Sequence, residues 1–462
     1  MRVQLSSNKN DSKKESLLIR RAQVFTQVEE LSFVDVRIID GCISELQSQL
    51  TPMAGERIVA ASGNLVLPGL QDHHLHLFAT AAAKASIPCG PPAVNNEQEL
   101  RAAITEQITE GDSWLRGVGF HESVYAGLDR KWLDSVCSER PIRIQHRSGM
   151  MWVLNSCALA QTEINTKDEL PAGVERAANG ELTGRFYDLD DWLGARIKRA
   201  WPSLKKLSLE LAQYGITSVT DTGVNNGPEV LQALSAASEC GELLQRALVM
   251  GNETLHTAEF DKSDIIAVGP LKIYLREVDL PDFDQLVERI KTAHQHGRAI
   301  AVHCVTRVEL TFLLAALEEA GAIKGDRIEH ASIADDNALE ILARLGVTVV
   351  TQPHFIAERG VQYLQNVDVD DVPFLYRGAG FINSKVALAA GSDAPYGDTD
   401  PWASMRAAMV RRNSDGVVMG GAEILSALQA LQLFSGEPLL PGSGLRQLVA
   451  GQAADLCLMR VP

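Results

Sequence analysis

Short apolar runs alternate with stretches of helical periodicity through the central part of this chain. The runs at residues 271–275, 298–302 and 347–351 have the length and composition of buried strands. Between the first two, apolar side chains recur at helical spacing: Phe283, Leu286, Val287 and Ile290. Asp282 can cap the start of this helix and Gly297 can end it. The alternation predicts an α/β fold in which helices cover buried parallel strands.

Two histidines follow the apolar run at residues 65–67. Residues two apart on a strand point to the same face, so His74 and His76 would project together. On a helix the two rings would point roughly 200° apart, and the spacing therefore favours a strand. Two converging imidazoles can form half of a metal site. An ordinary pair of histidines near a turn is the alternative.

Candidates for the other half follow three later apolar runs: His303, His330 and Asp393. Each stands at the carboxyl end of a predicted strand, where a barrel of alternating strands and helices places its chemistry. Lys272 is a lone cation inside an apolar strand, and a buried lysine without a partner is costly. Its presence therefore needs a reason, and a salt-bridged lysine is one of the alternatives.

Length and composition limit the size of the fold and predict the cellular compartment. The chain has 462 residues and 45% hydrophobic composition, whereas a bare barrel of this kind needs about 250 residues. Its net charge of −16, without a basic tract, argues against nucleic acid or an anionic membrane as the main partner. Seven scattered cysteines, a polar start and no long apolar run predict a reduced, cytoplasmic protein without a membrane span.

The ordered motifs resemble those of the amidohydrolase superfamily of metal-dependent hydrolases. The match runs through Pro-Gly-x-x-Asp-x-His-x-His at residues 68–76, Lys272, His303, Arg-Ile-Glu-His at 327–330 and Gly-Ser-Asp-Ala-Pro at 391–395. The last two motifs, with Asp-Pro-Trp at 400–402, look most like the branch called amidohydrolase family 3, or YtcJ-like. The resemblance implies a (β/α)8 TIM-like barrel beside a small β-sandwich made from the N- and C-terminal segments.

This resemblance divides the chain into domains. Residues 1–14 are expected to be disordered, residues 15–64 with 435–462 to form the β-sandwich, and residues 65–434 to form the barrel. The barrel strands are assigned to residues 65–70, 216–220, 246–250, 271–275, 298–302, 326–329, 347–351 and 386–390. Residues 78–201 far exceed an ordinary strand-to-helix loop, so we expect them to form an insertion that covers the barrel mouth.

The resemblance also implies a ligand set. His74 and His76, with Asp393, would hold one divalent metal, expected to be zinc, and His303 and His330 would hold a second. Zinc, iron, manganese and cobalt all suit histidine and carboxylate ligands, so the residues leave the element open.

Lys272 would bridge the two ions as a carboxylated side chain, and an unmodified Lys272 would leave one ion. A bound metal lowers the pKa of water from about 15.7 toward 7, and Asp393 would act as the general base. The expected reaction is hydrolysis of a non-peptide C–N bond in an amide, a formamide or a cyclic amide.

Three positions depart from the branch pattern, which predicts a different substrate. Arg276-Glu277 replaces Asp-Gly after the lysine strand, Thr306-Arg307 replaces Gly-Asp after His303, and Ser-Gly-Met at 148–150 replaces Asp-Gly-His. One hypothesis is that Arg276 and Arg307 bind an anionic group of a small-molecule substrate. The alternative pairs each arginine with a nearby acid, such as Glu277 or Glu309. His354, just past the seventh strand, is a third candidate for substrate contact.

Two other functions compete with amide hydrolysis. A single-metal deaminase of a nucleobase-like or other heterocyclic amine would carry a glutamate where Thr306 stands, and would generally lack Lys272. A catalytically inactive scaffold on the same fold would have lost metal ligands that this chain retains. Barrels of this kind often pair, so a homodimer is also expected.

Overall fold

The computed structural model describes residues 15–24, 32–108, 114–164, 170–197, 201–256 and 265–460. The predicted disorder of residues 1–14 lies outside the described residues. The strands are β1 (Ser16–Val24), β2 (Ser32–Ile39), β3 (Cys42–Gln47), β4 (Arg57–Ala60), β5 (Leu65–Pro68), β6 (Leu70–Leu75), β7 (Ile87–Pro88), β8 (Leu115–Phe120), β9 (Ile142–His146), β10 (Met151–Leu154), β11 (Val174–Arg176), β12 (Leu182–Tyr187), β13 (Ile216–Asp221), β14 (Arg246–Gly251), β15 (Ile266–Tyr274), β16 (Ile300–Cys304), β17 (Arg327–His330), β18 (Thr348–Thr351), β19 (Leu388–Ala390) and β20 (Leu456–Met459).

The α-helices in the same residues are α1 (Leu77–Lys84), α2 (Glu97–Thr105), α3 (Arg130–Val136), α4 (Ser156–Gln161), α5 (Asp190–Gly194), α6 (Lys205–Gln213), α7 (Pro228–Glu239), α8 (Phe283–Gln295), α9 (Arg307–Ala320), α10 (Asp336–Leu345), α11 (His354–Asn366), α12 (Ala379–Asn383), α13 (Pro401–Val410) and α14 (Ala427–Gln432). The predicted cap of α8 is present, because the Asp282 side chain accepts a hydrogen bond from the Gln285 N–H. Chain contacts divide the molecule into two units, one of residues 1–80 with 203–462 and one of residues 81–202.

The first unit contains a six-stranded sheet built from both ends of the chain. Its order is β20-β5-β1-β2-β3, with β4 beside β1. Strand β20 lies antiparallel to β5, and Leu458 pairs with Val66. The buried side chains Ile19, Val36 and Ile43 belong to its core. The N- and C-terminal segments therefore combine in one six-stranded sheet, and the β-sandwich with its bounds stays a prediction.

The same unit contains the barrel, whose eight strands follow the order β6-β13-β14-β15-β16-β17-β18-β19. Each hydrogen-bonded pair of neighbours is parallel. Beyond the strand ends, the Asp393 N–H donates to the His74 carbonyl over 2.7 Å, which joins the last strand to the first. A Cβ atom at Gly391 would lie 2.3 Å from the His74 nitrogen, so only glycine permits this approach. The predicted (β/α)8 fold is confirmed.

The predicted first barrel strand, residues 65–70, needs a correction. Leu65–Pro68 pairs within the six-stranded sheet, and the barrel strand is Leu70–Leu75. The backbone changes partner at Gly69, whose N–H donates to Asp455 O, while the Leu70 N–H donates to Gly215 O. Both strands are largely buried, so hydrophobicity alone could not separate them.

The second unit has its own six-stranded sheet, ordered β11-β12-β10-β9-β8-β7. Strands β7, β8 and β9 are parallel, and the pairs β9-β10, β10-β12 and β12-β11 are antiparallel. Asn155 caps α4, since its Oδ1 accepts hydrogen bonds from the Ala158 and Ile142 N–H groups at 2.9 and 3.0 Å. That these residues cover the barrel mouth stays a prediction. Within the described residues, no helix has the length and apolar character to cross a bilayer.

Candidate metal centre

The ends of β6 and β19 bring three of the predicted ligands together. The Asp393 Oδ1 atom lies 3.3 Å from His74 Nε2 and 3.6 Å from His76 Nε2. One potential ligand atom from each residue lies within 4.8 Å of the other two. Asp393 takes a φ of 52°, a left-handed conformation that is uncommon outside glycine and is found often at functional sites.

The remaining predicted histidines lie beside this group. The His330 ring centroid is 4.9 Å from that of His74 and 4.5 Å from that of His303. His330 Nδ1 lies 2.7 Å from the Gln352 side-chain oxygen, which orients the ring. Burial lowers the pKa of His330 to about 4 and the pKa of His303 well below its ordinary value. Both rings are therefore neutral near pH 7, the form that can donate a lone pair to a metal.

Lys272 is buried on β15, and its Nζ atom has no hydrogen-bond partner in the described part of the chain. Burial lowers its pKa, and the negative charge of Glu329 opposes this only in part. The alternative of a hydrogen-bonded salt bridge is therefore not observed. An unsatisfied amine at this depth is costly, and the site must offset that cost.

Glu329, which the sequence motif contained but for which no role was predicted, contacts His74 directly. Its carboxylate accepts a hydrogen bond from His74 Nδ1 and, over 2.5 Å, one from the Arg327 Nε–H. Arg327 Nη2 also donates to the His73 carbonyl over 2.7 Å. Burial would raise the pKa of Glu329, but the positive charge of Arg327 and the contact with His74 hold it well below its ordinary range.

The consequence of this contact lies at the other ring nitrogen of His74. When Nδ1–H donates to Glu329, Nε2 carries a lone pair that faces Asp393. Two acceptors 3.3 Å apart need a proton or a metal cation between them. Burial alone would lower the pKa of His74, but the neighbouring carboxylates raise it above its ordinary value. The arrangement is therefore suited to a cation.

Asp72 joins the two strand ends that carry these ligands. Its Oδ1 accepts hydrogen bonds from the His74 N–H at 3.1 Å and from the Ser392 N–H at 3.0 Å. Burial raises its pKa to about 6 despite these bonds. Asp72 therefore ties the end of β6 to the segment that follows β19. Sequence reasoning missed Asp221. Its Oδ1 accepts a hydrogen bond from the N–H of Leu77, the first residue of α1, at 2.7 Å.

Two of the three predicted substrate-binding residues, Arg307 and His354, have protein partners for their polar groups. Arg307 donates to Asp335 over 2.9 Å and to Asp371 over 2.9 Å, so it pairs with acids, although not with the Glu277 or Glu309 that the alternative named. His354 is buried, with Nδ1 3.1 Å from Ser404 Oγ and Nε2 3.0 Å from the Ser392 carbonyl, so both nitrogens serve the protein interior. Arg276 follows β15 and is partly buried.

Two tyrosines lie against the candidate ligands. The Tyr274 ring centroid is 4.2 Å from that of His303, and the Tyr396 ring meets His76 edge-on at 5.9 Å. Tyr274 and Tyr396 are 52% and 53% exposed, so each ring also presents a surface to solvent. The sequence contained no signal for either contact, because each depends on where a strand ends.

Several known proteins are similar to this chain in sequence. A family model described as "Amidohydrolase family" matches residues 57–461. A Bacillus subtilis protein that carries the name amidohydrolase YtcJ is 26% identical over 434 residues, covering 82% of this chain and 80% of the relative. The N-substituted formamide deformylase of Arthrobacter pascens is 24% identical over 478 aligned positions, covering 91% of this chain and 88% of the relative.

The fold is shared with solved structures. The crystal structure of a metal-dependent hydrolase from Pyrococcus horikoshii has a TM-score of 0.80 at 20% identity, covering 96% of this chain and 97% of the other. The family model spans most of the chain, and it includes every segment that carries a candidate ligand. The chain therefore belongs to the amidohydrolase family and is a hydrolase of that family.

Proposed function

We propose that this protein is a metal-dependent hydrolase that cleaves a non-peptide C–N bond in a small amide, formamide or cyclic amide. The observation that carries the proposal is the convergence of His74, His76 and Asp393 on one point, with Glu329 setting the tautomer of His74. Two imidazoles and a carboxylate suit zinc and also manganese, iron or cobalt.

The residues present fit a bound divalent ion. The lone pair of His74 Nε2 faces the Asp393 carboxylate, and no proton donor is required if a cation lies between them. His74, His76 and Asp393 would hold one ion, and His303 with His330 would hold a second. A divalent cation in such a site supplies a water of lowered pKa and polarises a carbonyl.

Asp393 is our candidate for the general base. Burial would raise its pKa, but its contacts with the His74 and His76 rings hold it well below its usual range, so it is ionised at neutral pH. An ionised carboxylate can take the proton of the attacking water and return it to the leaving nitrogen. Its backbone hydrogen bond to the His74 carbonyl fixes where that carboxylate stands.

Lys272 is our candidate for a carboxylated bridging residue. The neutral amine is the form that reacts with carbon dioxide, and burial favours the neutral amine. The product would carry one negative charge shared by two oxygens, at a nitrogen that has no hydrogen-bond partner among the described residues. Native mass spectrometry should then show an added mass of one carbon dioxide that disappears in Lys272→Met. An unmodified lysine would leave the site with one ion.

The surroundings favour hydrolysis of an apolar N-substituted substrate. The exposed faces of Tyr274 and Tyr396 offer aromatic surface beside the ligands. Arg307 is already paired with Asp335 and Asp371, so we assign no anion to it. The relative from Arthrobacter pascens is named for N-substituted formamides, which supports that class here as well.

Thr306 stands where a deaminase would carry a glutamate. Its hydroxyl accepts a hydrogen bond from the Glu309 N–H and caps α9, and this supports hydrolysis over deamination.

A substrate screen tests the proposal. Purified protein supplied with zinc, manganese or cobalt is assayed on N-substituted formamides, N-acyl amines, hydantoin-like rings and lactams, with release of amine or ammonia as the readout. We expect turnover in one class and its loss in Asp393→Asn. Equal rates for wild type and Asp393→Asn across all four classes would contradict the proposal.

A further inference from the structure

A second group of potential metal ligands lies in the unit of residues 81–202, and it shares no residue with the site described above. His121 directly follows β8, and His146 ends the neighbouring parallel strand β9. Glu122 stands between them, with its Oε2 3.1 Å from His146 Nε2 and 3.8 Å from His121 Nε2. One potential ligand atom from each of the three lies within 4.8 Å of the others. The carboxyl ends of adjacent parallel strands thus present two imidazoles and one carboxylate.

We propose that His121, Glu122 and His146 form a second binding site for a zinc-like divalent metal ion. Imidazole nitrogens favour zinc, nickel, copper or cobalt, whereas calcium and magnesium prefer sites made wholly of oxygens. The side chains of His121 and His146 are 28% and 15% exposed, so an ion can reach them from solvent. The histidine rings lie 5.8 Å apart and tilted by 31°, with both Nε2 atoms near one carboxylate.

The opposite nitrogen of each ring has the partner that a metal-bound histidine requires. Ser123 Oγ lies 2.8 Å from His121 Nδ1, and Ser148 Oγ lies 2.7 Å from His146 Nδ1. Metal-binding histidines usually donate the other ring N–H to an oxygen acceptor, which fixes the ring and its tautomer. The same His-x-Ser arrangement occurs at both histidines, so each ring has a serine hydroxyl that could accept its Nδ1–H when Nε2 binds a metal.

Metal binding would change the tautomer of both rings without a net change in protons. The Ser123 and Ser148 N–H groups donate to the Nδ1 atoms at 3.2 and 3.1 Å, so the neutral rings carry their proton on Nε2. Binding would move each of these protons to Nδ1, where the serine hydroxyl can accept it, and would free the Nε2 lone pairs. The Ser123 and Ser148 N–H groups would then lose their acceptor, and this loss is part of the cost of binding. Burial would raise the pKa of Glu122, but a hydrogen bond from its own backbone N–H and its contact with His146 lower it. In the competing metal-free state, the His146 ring donates a hydrogen bond to Glu122 over 3.1 Å and His121 Nε2 lies 3.8 Å from the same carboxylate.

The ion would join the connections that follow β8 and β9, which already meet where the Arg147 N–H donates to the Phe120 carbonyl over 2.8 Å. His121 begins the connection after β8, and His146 begins the connection that contains Ser148 and the half-exposed Met150. Ser148 stands at one of the three positions where the chain departs from the YtcJ-like pattern. The departure thus supplies the hydroxyl beside His146 Nδ1.

Zinc stoichiometry of the full-length protein tests the inference. Wild type, the double variant His121→Gln/His146→Gln and Glu122→Gln are dialysed to equilibrium against increasing Zn²⁺ and analysed for bound metal. We expect wild type to bind about one zinc more than the double variant at saturation, and Glu122→Gln to need at least about tenfold more zinc for that ion. Because Glu122 is exposed, its variant keeps the test open if the double variant does not fold.

His296→Ala is the matched control. His296 stacks on His256 with ring centroids 4.7 Å apart, but the described residues place no third ligand beside that pair. We expect this variant to bind as much zinc as wild type. Equal zinc binding by wild type, the folded double variant and Glu122→Gln at every concentration would overturn the site. A loss of zinc in His296→Ala as large as in the double variant would overturn it as well.

Discussion

Replacing Glu329 by glutamine tests how the fold prepares His74 for a metal. The substitution keeps the size of the side chain but removes a charge that is completely buried between Arg327 and His74. The amide cannot accept from both neighbours as the carboxylate does. If its oxygen faces Arg327, its NH₂ group faces His74 Nδ1, which must then become an acceptor and carry its proton on Nε2. That proton stands where the metal would bind.

The expected magnitudes follow from these contacts. Loss of a partner that orients a metal-binding histidine typically costs 10–100-fold in metal affinity, or about 1.4–2.8 kcal/mol. Removing one member of a buried ion pair costs about 3–5 kcal/mol in free energy of unfolding, and the hydrogen bond that glutamine keeps to Arg327 should place Glu329→Gln near the lower end. We therefore expect a variant that folds, with weaker metal binding and a lower melting temperature.

Glu423→Gln controls for the loss of a buried carboxylate. Glu423 is 6% exposed and pairs with Arg377 over 2.8 Å, as Glu329 pairs with Arg327, but its hydrogen bonds go to Arg377 and to the Gly378 and Gly380 N–H groups. Metal affinity is measured by competition with a coloured chelator, and stability by urea unfolding of the metal-free protein. If Glu329→Gln bound metal as tightly as wild type, or if Glu423→Gln lost as much affinity, the reasoning would be wrong.

Three further predictions concern the base, the excluded arginine and a distant ion pair. Asp393→Asn should lower kcat at least about 10²-fold with little change in far-UV circular dichroism, because it removes the proposed proton acceptor; a kcat within tenfold of wild type would exclude this role. Arg307→Ala should leave KM unchanged and cost at most about 1 kcal/mol in free energy of unfolding, since its ion pairs are 40% exposed on the arginine side; a raised KM would return Arg307 to the substrate site. Arg37 lowers the pKa of Glu56 to about 2 from an ordinary 4.5, against the opposing effect of burial. The stability that Glu56 adds is thus complete above about pH 4.5 and is lost as the pH falls toward 2. At pH 7, wild type should be more stable than Glu56→Gln by at most about 3 kcal/mol in free energy of unfolding. Urea titrations should show this difference shrinking as the pH falls through that window.

Local pattern predicted the alternating strands and helices and the positions of the candidate ligands, and the family resemblance added the barrel and the ligand set. Strand composition, helical spacing and caps are set by residues close in the chain, and His303, His330 and Asp393 each end or follow a predicted strand. The carboxyl ends of parallel strands meet at one edge, so the order of these residues predicted that they would converge. The boundary at Gly69 did not follow from pattern, because both strands that flank it are apolar and buried.

Only the tertiary structure decided which partner each polar side chain has. Glu329 contacts His74 across 255 residues of chain, and Arg307 finds Asp371 64 residues away rather than the nearby Glu277 or Glu309. Nothing in local sequence encodes such pairs, since they depend on how strands from distant segments align. Hydrophobic burial is a property of one residue and its periodicity, and it can be predicted from the chain. A hydrogen bond needs two groups at a set distance and angle, and only the folded chain provides them.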